Sequence, residues 1–350
     1  MTVRAAPVRL ALVLALLAPG AGARGATAPD WLLEAAKRSS PKEPGDAPAV
    51  VLHRDHDVTV ASGGVATTRE RRAVRCLRAS GAVHASAFVH YLTDTERVSD
   101  LRGWVLRADG SLVVLRKDEI VDVAASPHDA FNESRVQYLD ASRQVTPGDV
   151  FGWEWTKKGP ELFGQVDWPF QDRLPTLVSR LSVSLPEGWT VSASTLEGPA
   201  PRETREGPRT TWEIGDLPYI PDELLAPDAS TLAPRVAVNW KRPAGSAVSD
   251  PSNLAFSSWE AVSRYLAELS EAQAEPSAAV KARAAELTAG AETERAKVEA
   301  LCRGVQKLSY VSVQLGVGRG GGYKPHAADD VLRKGHGDCK DKATLLRSLL

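Results

Sequence analysis

The sequence predicts an α+β protein, with an N-terminal antiparallel β-sandwich from about residue 50 to 245 and a helical region from 252 to 350. Two observations carry this reading. Between Val50 and Trp240, apolar residues alternate in short runs separated by Pro and Gly turns, as strands with one buried face require. From about residue 255 the apolar spacing becomes three and four, the period of a helix with one buried side. At 350 residues, with 43% hydrophobic and 25% charged content, the chain can bury more than one core.

Taken in order, Val65 to Cys76 alternates along its whole length after a Ser62-Gly63-Gly64 turn. Asp109-Gly110 separates Trp104–Leu106 from Leu112–Leu115 and marks a hairpin. Leu177–Leu185 ends at Pro186-Glu187-Gly188, and Thr210–Ile214 and Arg235–Trp240 are further short strands. Pro243, Gly245 and Pro251 mark the boundary between the regions. Ser257-Ser258-Trp259-Glu260 fits a capping box with Ser257 as cap, and Trp259, Val262, Leu266 and Leu269 share a helical face. A second helix covers Ala278–Leu287, and a third places Val298, Leu301, Cys302 and Val305 on one face. A strand at Tyr310–Leu315, a glycine-rich loop at Gly316–Gly322 and a short helix at Ala327–Lys334 follow. The last helix begins at Asp338 or Cys339. Its stripe is read as Ala343, Leu346 and Leu350, beside Leu345 and Leu349.

The N-terminus carries Arg4 and Arg9, then nine apolar residues from Leu10 to Ala18, a Pro19-Gly20 break and Ala21-Gly22-Ala23. That order is the pattern of a secretory signal peptide over 1–23, and the run falls short of the roughly 20 residues a membrane-spanning helix needs. The expectation is export to the periplasm or beyond, with cleavage near Ala23 and a linker over 24–49. The mature chain then carries no integral membrane segment. Forty-three basic residues balance 44 acidic ones, for a net charge of -1, which argues against a nucleic-acid partner. Three cysteines, Cys76, Cys302 and Cys339, cannot form a disulfide framework. Cys76 in an alternating strand and Cys302 on a helix face read as core residues. No His or Cys cluster has metal-ligand spacing, and His53-Arg54-Asp55-His56-Asp57 reads as a solvated strand edge. Neither a metal nor a cofactor is expected.

Gly337-Asp338-Cys339-Lys340-Asp341 carries the chemistry. Asp338 is placed as an N-cap, Asp341 can complete a capping box, and Cys339 falls at the first helical position. There the unpaired N–H groups and the positive helix end favour a thiolate, and the N–H groups around Asp338, Cys339 and Lys340 can hold an oxyanion. Gly337 leaves room for a substrate, and Tyr323 and His326 are candidates for the groove wall. Gly316 to Gly321 also fits G-x-G-x-x-G, yet Pro325 stands where a dinucleotide-binding helix would run.

The run YVSVQLGVGRGGGYKPHAADDVLRKGHGDCKDKATLLRSLL, Tyr310 to Leu350, closely resembles the start of bacterial transglutaminase-like domains. The region from 50 to 245, at Pro147-Gly148-Asp149 and Leu181–Pro186, resembles the β-rich domain of unknown function that precedes such domains in exported proteins. The resemblance implies a papain-like, transglutaminase-like core with a Cys-His-Asp triad and Cys339 as nucleophile. The activity would be thiol acyl transfer on peptide or protein amides: hydrolysis, deamidation or cross-linking. In that family the histidine and aspartate follow the cysteine helix, so the core is expected to be incomplete in this chain. It is expected to lack turnover, with an exposed apolar stripe on its last helix. His326 and His336 are poor substitutes as base. A competing reading makes the protein a non-catalytic binder of envelope peptide or glycan, with Trp153, Trp155 and Trp168 as a surface platform.

Overall fold

The computed structural model describes residues 27–40, 45–126, 133–243, 253–311 and 322–350. The expected signal peptide, the Pro243–Pro251 boundary beyond its first residue, most of the Tyr310–Leu315 strand and the glycine motif lie outside them. The described chain is α+β, β-rich at its N-terminal side and helical at its C-terminal end.

The largest layer is an eight-stranded sheet. Its strands are β1 (Ala49–Val60), β2 (Val65–Cys76), β4 (Arg97–Leu106), β5 (Leu112–Val114), β8 (Val150–Pro160), β10 (Thr176–Ser184), β12 (Arg202–Glu206) and β13 (Arg209–Leu217). They run in the order β12-β13-β10-β1-β2-β8-β4-β5. A second, three-stranded sheet joins β11 (Thr190–Glu197), β14 (Arg235–Lys241) and β9 (Gln165–Pro169). A third joins β3 (Ser86–Leu92), β7 (Ser134–Asp140) and β6 (Val121–Ala124). Within these three sheets pairing is antiparallel except between β1 and β10, which run parallel, so the antiparallel sandwich expected from the sequence is corrected at that pair. Alternation identifies strands but not which ones pair.

The Asp-Gly hairpin forms as read, with Trp104 opposite Val114 and Gly110 at φ 86°. Both small sheets cover the same face of the large one. His56 on that face contacts the rings of Trp155, from the core under β3 and β7, and Trp168, from the core under β9 and β14. A bulge between Val51 and His53 explains why β1 does not alternate cleanly. Before it, Val50 and Leu52 face the opposite side; after it, Val58 and Val60 face the small sheets.

On the opposite side lies α1 (Asp30–Ala36), with Leu32 and Ala35 packed against Val50, Leu52, Ala73 and Val150. It is docked on the sheet. At Gly152 a Cβ would stand 2.5 Å from Leu32 Cδ1, so only glycine admits the helix at this distance.

Two expectations about polar and aromatic residues are corrected by the sheet order. Residues His53–Asp57 lie on interior β1, not at a solvated edge: His53 Nε2 bonds Asp55 Oδ2 at 2.7 Å, and His56 Nδ1 meets Glu70 at 3.3 Å. Arg54 lies over the Trp168 ring, 3.9 Å from its centroid, and burial brings its pKa down to about 10. Trp153, Trp155 and Trp168 are 5%, 6% and 5% exposed, so they are core residues and not a surface platform.

The C-terminal side comprises α3 (Trp259–Glu271), α4 (Ala278–Thr288), α5 (Glu294–Gln306), α6 (Ala328–Lys334) and α7 (Cys339–Leu349), after a one-turn α2 (Ala229–Leu232). A two-residue parallel pairing joins β15 (Ser309–Tyr310) to β16 (His336–Gly337). The α3 cap is Ser258, which accepts from Ala261 N, one residue later than expected. Trp259 and Leu266 on this helix are exposed, so its apolar stripe is not a core face. In α5, Leu301 and Val305 are buried, Cys302 flanks them and Val298 is exposed. Val280, Leu301, Val305, Ala328, Val331, Leu345 and Leu349 form one core among α4 to α7. Among the described residues no helix is long and apolar enough to cross a membrane.

Candidate functional site

The start of α7 is built as its sequence requires. Asp338 is extended at φ -83°, so its carboxylate turns back over the first turn and accepts from Asp341 N at 3.1 Å. Asp341 replies by accepting from Asp338 N at 3.2 Å, which closes the capping box. Lys340 Nζ pairs with the other Asp338 oxygen. Asp338 and Asp341 are 2% and 3% exposed. Burial at a helix start is tolerated because each carboxylate meets donors.

Cys339 follows as the first helical residue and is exposed. The other two thiols differ. Cys76 is buried and donates to Arg78 O at 3.0 Å, and burial pushes its pKa up. Cys302 is partly buried on α5. Of the expected oxyanion donors, the Asp338 N–H is already engaged by Asp341.

Asp341 also reaches outside its own helix. Its Oδ1 accepts from His326 N at 2.8 Å, and its Oδ2 lies 3.1 Å from His326 Nδ1. A single buried carboxylate therefore ties the Tyr323–His326 segment to the cysteine helix. The sequence places His326 near the site but does not reveal its partner, because a role as cap already accounts for Asp341. The spare oxygen lone pairs of Asp341 were the available signal.

Two other expected site residues, Gly337 and Tyr323, pack closely against their neighbours. At Gly337 a Cβ would fall 2.7 Å from Asp341 Cβ and 3.2 Å from Val331 Cγ1. Glycine there lets β16 return tightly into α7. Tyr323 is half-buried, with its ring edge-on to Phe163 at 5.2 Å, so one side of it packs against the β-rich region. His336 lies on β16, opposite Ser309.

The last helix also corrects the expected stripe. Asp341, Thr344, Leu345 and Leu349 are its buried residues, while Ala343 and Leu350 are exposed. Leu345 at 1% and Leu349 at 6% exposure are covered by upstream helices, so the expectation of a bare apolar stripe fails. Among the described residues no group of His, Cys, Asp and Glu could hold a metal ion.

The chain is similar in structure to a protein from Parabacteroides distasonis named a putative protease, with TM-score 0.65 and 18% identity over 86% of this chain. The match spans 58% of the Parabacteroides chain. At that identity the likeness shows the fold alone. Yeast LTA4 hydrolase bound to bestatin overlaps 61% of this chain and 33% of its own at TM-score 0.27 and 11% identity. The zinc metallopeptidase of the M1 type from Deinococcus radiodurans overlaps 56% and 43% at TM-score 0.26 and 15% identity. At such scores neither carries an argument. No curated protein matches the chain. Residues 63–221, which span β2 to β13, match the family model of the domain of unknown function with a solved structure, DUF3857.

Proposed function

We propose that the chain carries the cysteine-bearing part of an exported, transglutaminase-like enzyme that transfers acyl groups from peptide or protein amides through Cys339. The observation that carries the reading is an exposed cysteine at the first position of α7, above a capping box of two buried aspartates. In the step this arrangement suits, the Cys339 sulfur attacks the amide carbonyl and a C–S bond forms. The first-turn N–H groups of Cys339 and Lys340 meet the oxyanion. The C–N bond then breaks, the amine leaves with a proton, and water or a second amine displaces the thiolate from the thioester. The Parabacteroides fold is compatible with a peptide substrate, and envelope proteins are the class an exported enzyme would meet.

The resemblance puts the family's base after the cysteine helix. The His326–Asp341 contact favours a second reading, in which this imidazole takes the thiol proton. With Nδ1 donating to Asp341, Nε2 is the acceptor.

Treatment with a peptidyl chloromethyl ketone, followed by peptide mapping, tests the main reading. A single adduct on Cys339 is expected, absent in Cys339→Ala. Equal adducts on Cys302, or none on any cysteine, would remove the proposal. His326→Gln should slow this capture near neutral pH only if the second reading holds. For export, intact mass of secreted material should begin near Arg24, and a product retaining Met1 would count against it.

A further inference from the structure

We propose that Phe163, which belongs to the β-rich region, is a positioning residue for the Cys339 site. It acts by holding the Tyr323–His326 segment against the start of α7. The inference rests on the cysteine-enzyme reading above and assigns the β-rich region a part in it.

Tyr323 to His326 is anchored at both ends. At one end His326 is tied to Asp341 by its backbone N–H and by Nδ1. At the other, the Tyr323 ring stands edge-on to Phe163, at 5.2 Å and 75°. Edge-to-face ring pairs at this separation fix orientation as well as burying area. Neither anchor is a loose surface contact, since Tyr323 and Phe163 are half-buried and Asp341 is 3% exposed.

Phe163 is itself held firmly. Its backbone bridges Leu254, Gly164 N donates to Leu254 O at 2.9 Å, and Leu254 N donates to Leu162 O at 2.8 Å. Gly164 lies so close to Trp240 O that a Cβ would stand 2.6 Å away, which seats this turn on β14. One residue before Leu254, Asn253 is 4% exposed, accepts from Trp240 Nε1 at 2.8 Å and donates to Gly64 O at 2.7 Å. Phe256 adds a ring 6.1 Å from Phe163, and Tyr265 of α3 adds another 5.3 Å from Phe256.

Hydrogen bonds and ring contacts therefore run from the β-rich core through Phe163 and Tyr323 to His326, Asp341 and the residue pair flanking Cys339. A segment fixed at both ends presents one conformation to a substrate. Freed at Tyr323, it would pivot about the Asp341 contact.

The experiment compares full-length wild type, Phe163→Ala and Phe163→Tyr by two readouts. Amide exchange across 323–327 should rise about tenfold or more in Phe163→Ala, since a local anchor is lost, and return toward wild type in Phe163→Tyr. Capture of Cys339 by the peptidyl chloromethyl ketone should slow in step, while its reaction with iodoacetamide, which needs no groove, stays unchanged. Unchanged exchange in folded Phe163→Ala overturns the inference, as does raised exchange with unchanged peptidyl capture. Equal slowing of both reagents would mean general disruption and also overturns it. Should Phe163→Ala fail to fold, Tyr323→Leu removes the same ring contact from the other side, with the same expected outcomes. If wild-type Cys339 refuses the peptidyl reagent, the functional reading fails, and the exchange result alone decides whether Phe163 holds the segment.

Discussion

Replacing Leu345 by Ala tests the register of the cysteine helix. Leu345 is 1% exposed and packs with Val280, Leu301, Val305 and Leu349. Burial of a leucine side chain is worth roughly 1.5–3 kcal/mol, and the cavity left by truncation adds to that. Four helices, one of them only seven residues long, enclose this core and can close in on part of the space. The expected loss is about 2–4 kcal/mol. Leu350, at 68% exposure, should cost less than about 0.5 kcal/mol on the same change, with half-buried Leu346 between the two. Urea titration combined with amide exchange of α7 gives the assay, because the helical and β-rich regions need not unfold together. Leu350→Ala or Leu346→Ala costing as much as Leu345→Ala would refute the buried stripe of Leu345 and Leu349.

Three other perturbations address the β-rich region. Gly152→Val places side-chain carbon in the space of Leu32, whose Cδ1 would lie 2.5 Å from the new Cβ, and should release α1. Cleavage within 30–36 by limited proteolysis, with the sheet retained, is the expected result. Asp149→Ala should cost about 2–3 kcal/mol in urea titration, since it strips the Ala108 and Thr146 N–H groups of their acceptor and leaves Arg107 without its carboxylate partner. Burial raises the pKa of Asp172, but the Arg72 guanidinium, the Leu174 N–H and Arg54 together outweigh this and bring it to about 2. A carboxylate depressed in the fold stabilises above its unfolded value near 4 and loses that contribution as pH falls toward the folded value. Arg72→Met should therefore flatten stability against pH between about 4 and 2, by a small, salt-sensitive amount because the Asp172 side chain is 41% exposed.

Local signals in the sequence mark β2, β10, β13, β14, the Asp-Gly hairpin and the α7 capping box, because alternation and caps act over a few residues, but they do not single out β3, β6 to β9, β11 or β12. Val65–Cys76 and the start at Cys339 coincide with the observed elements. Pairing was not legible: nothing near β1 announces its parallel partner β10, and the Val51/His53 bulge reverses the faces of a run that looks uniform. The α7 stripe was misplaced because Leu345, Leu346, Leu349 and Leu350 supply two overlapping helical faces, and only the packing of α4 to α6 chooses between them. At the site, cysteine, cap and box were readable in sequence order. The ties from Asp341 to His326 and from Tyr323 to Phe163 span 15 and 160 residues and had no local mark.

The central claim, that Cys339 is the nucleophile, is tested most directly by timed iodoacetamide labelling of the folded chain near neutral pH, read by peptide mapping. Its exposed place at the helix start predicts that Cys339 is alkylated first, at about ten times the rate of buried Cys76 or more, with Cys302 between them. Equal labelling of the three cysteines, or Cys302 reacting ahead of Cys339, would contradict the account.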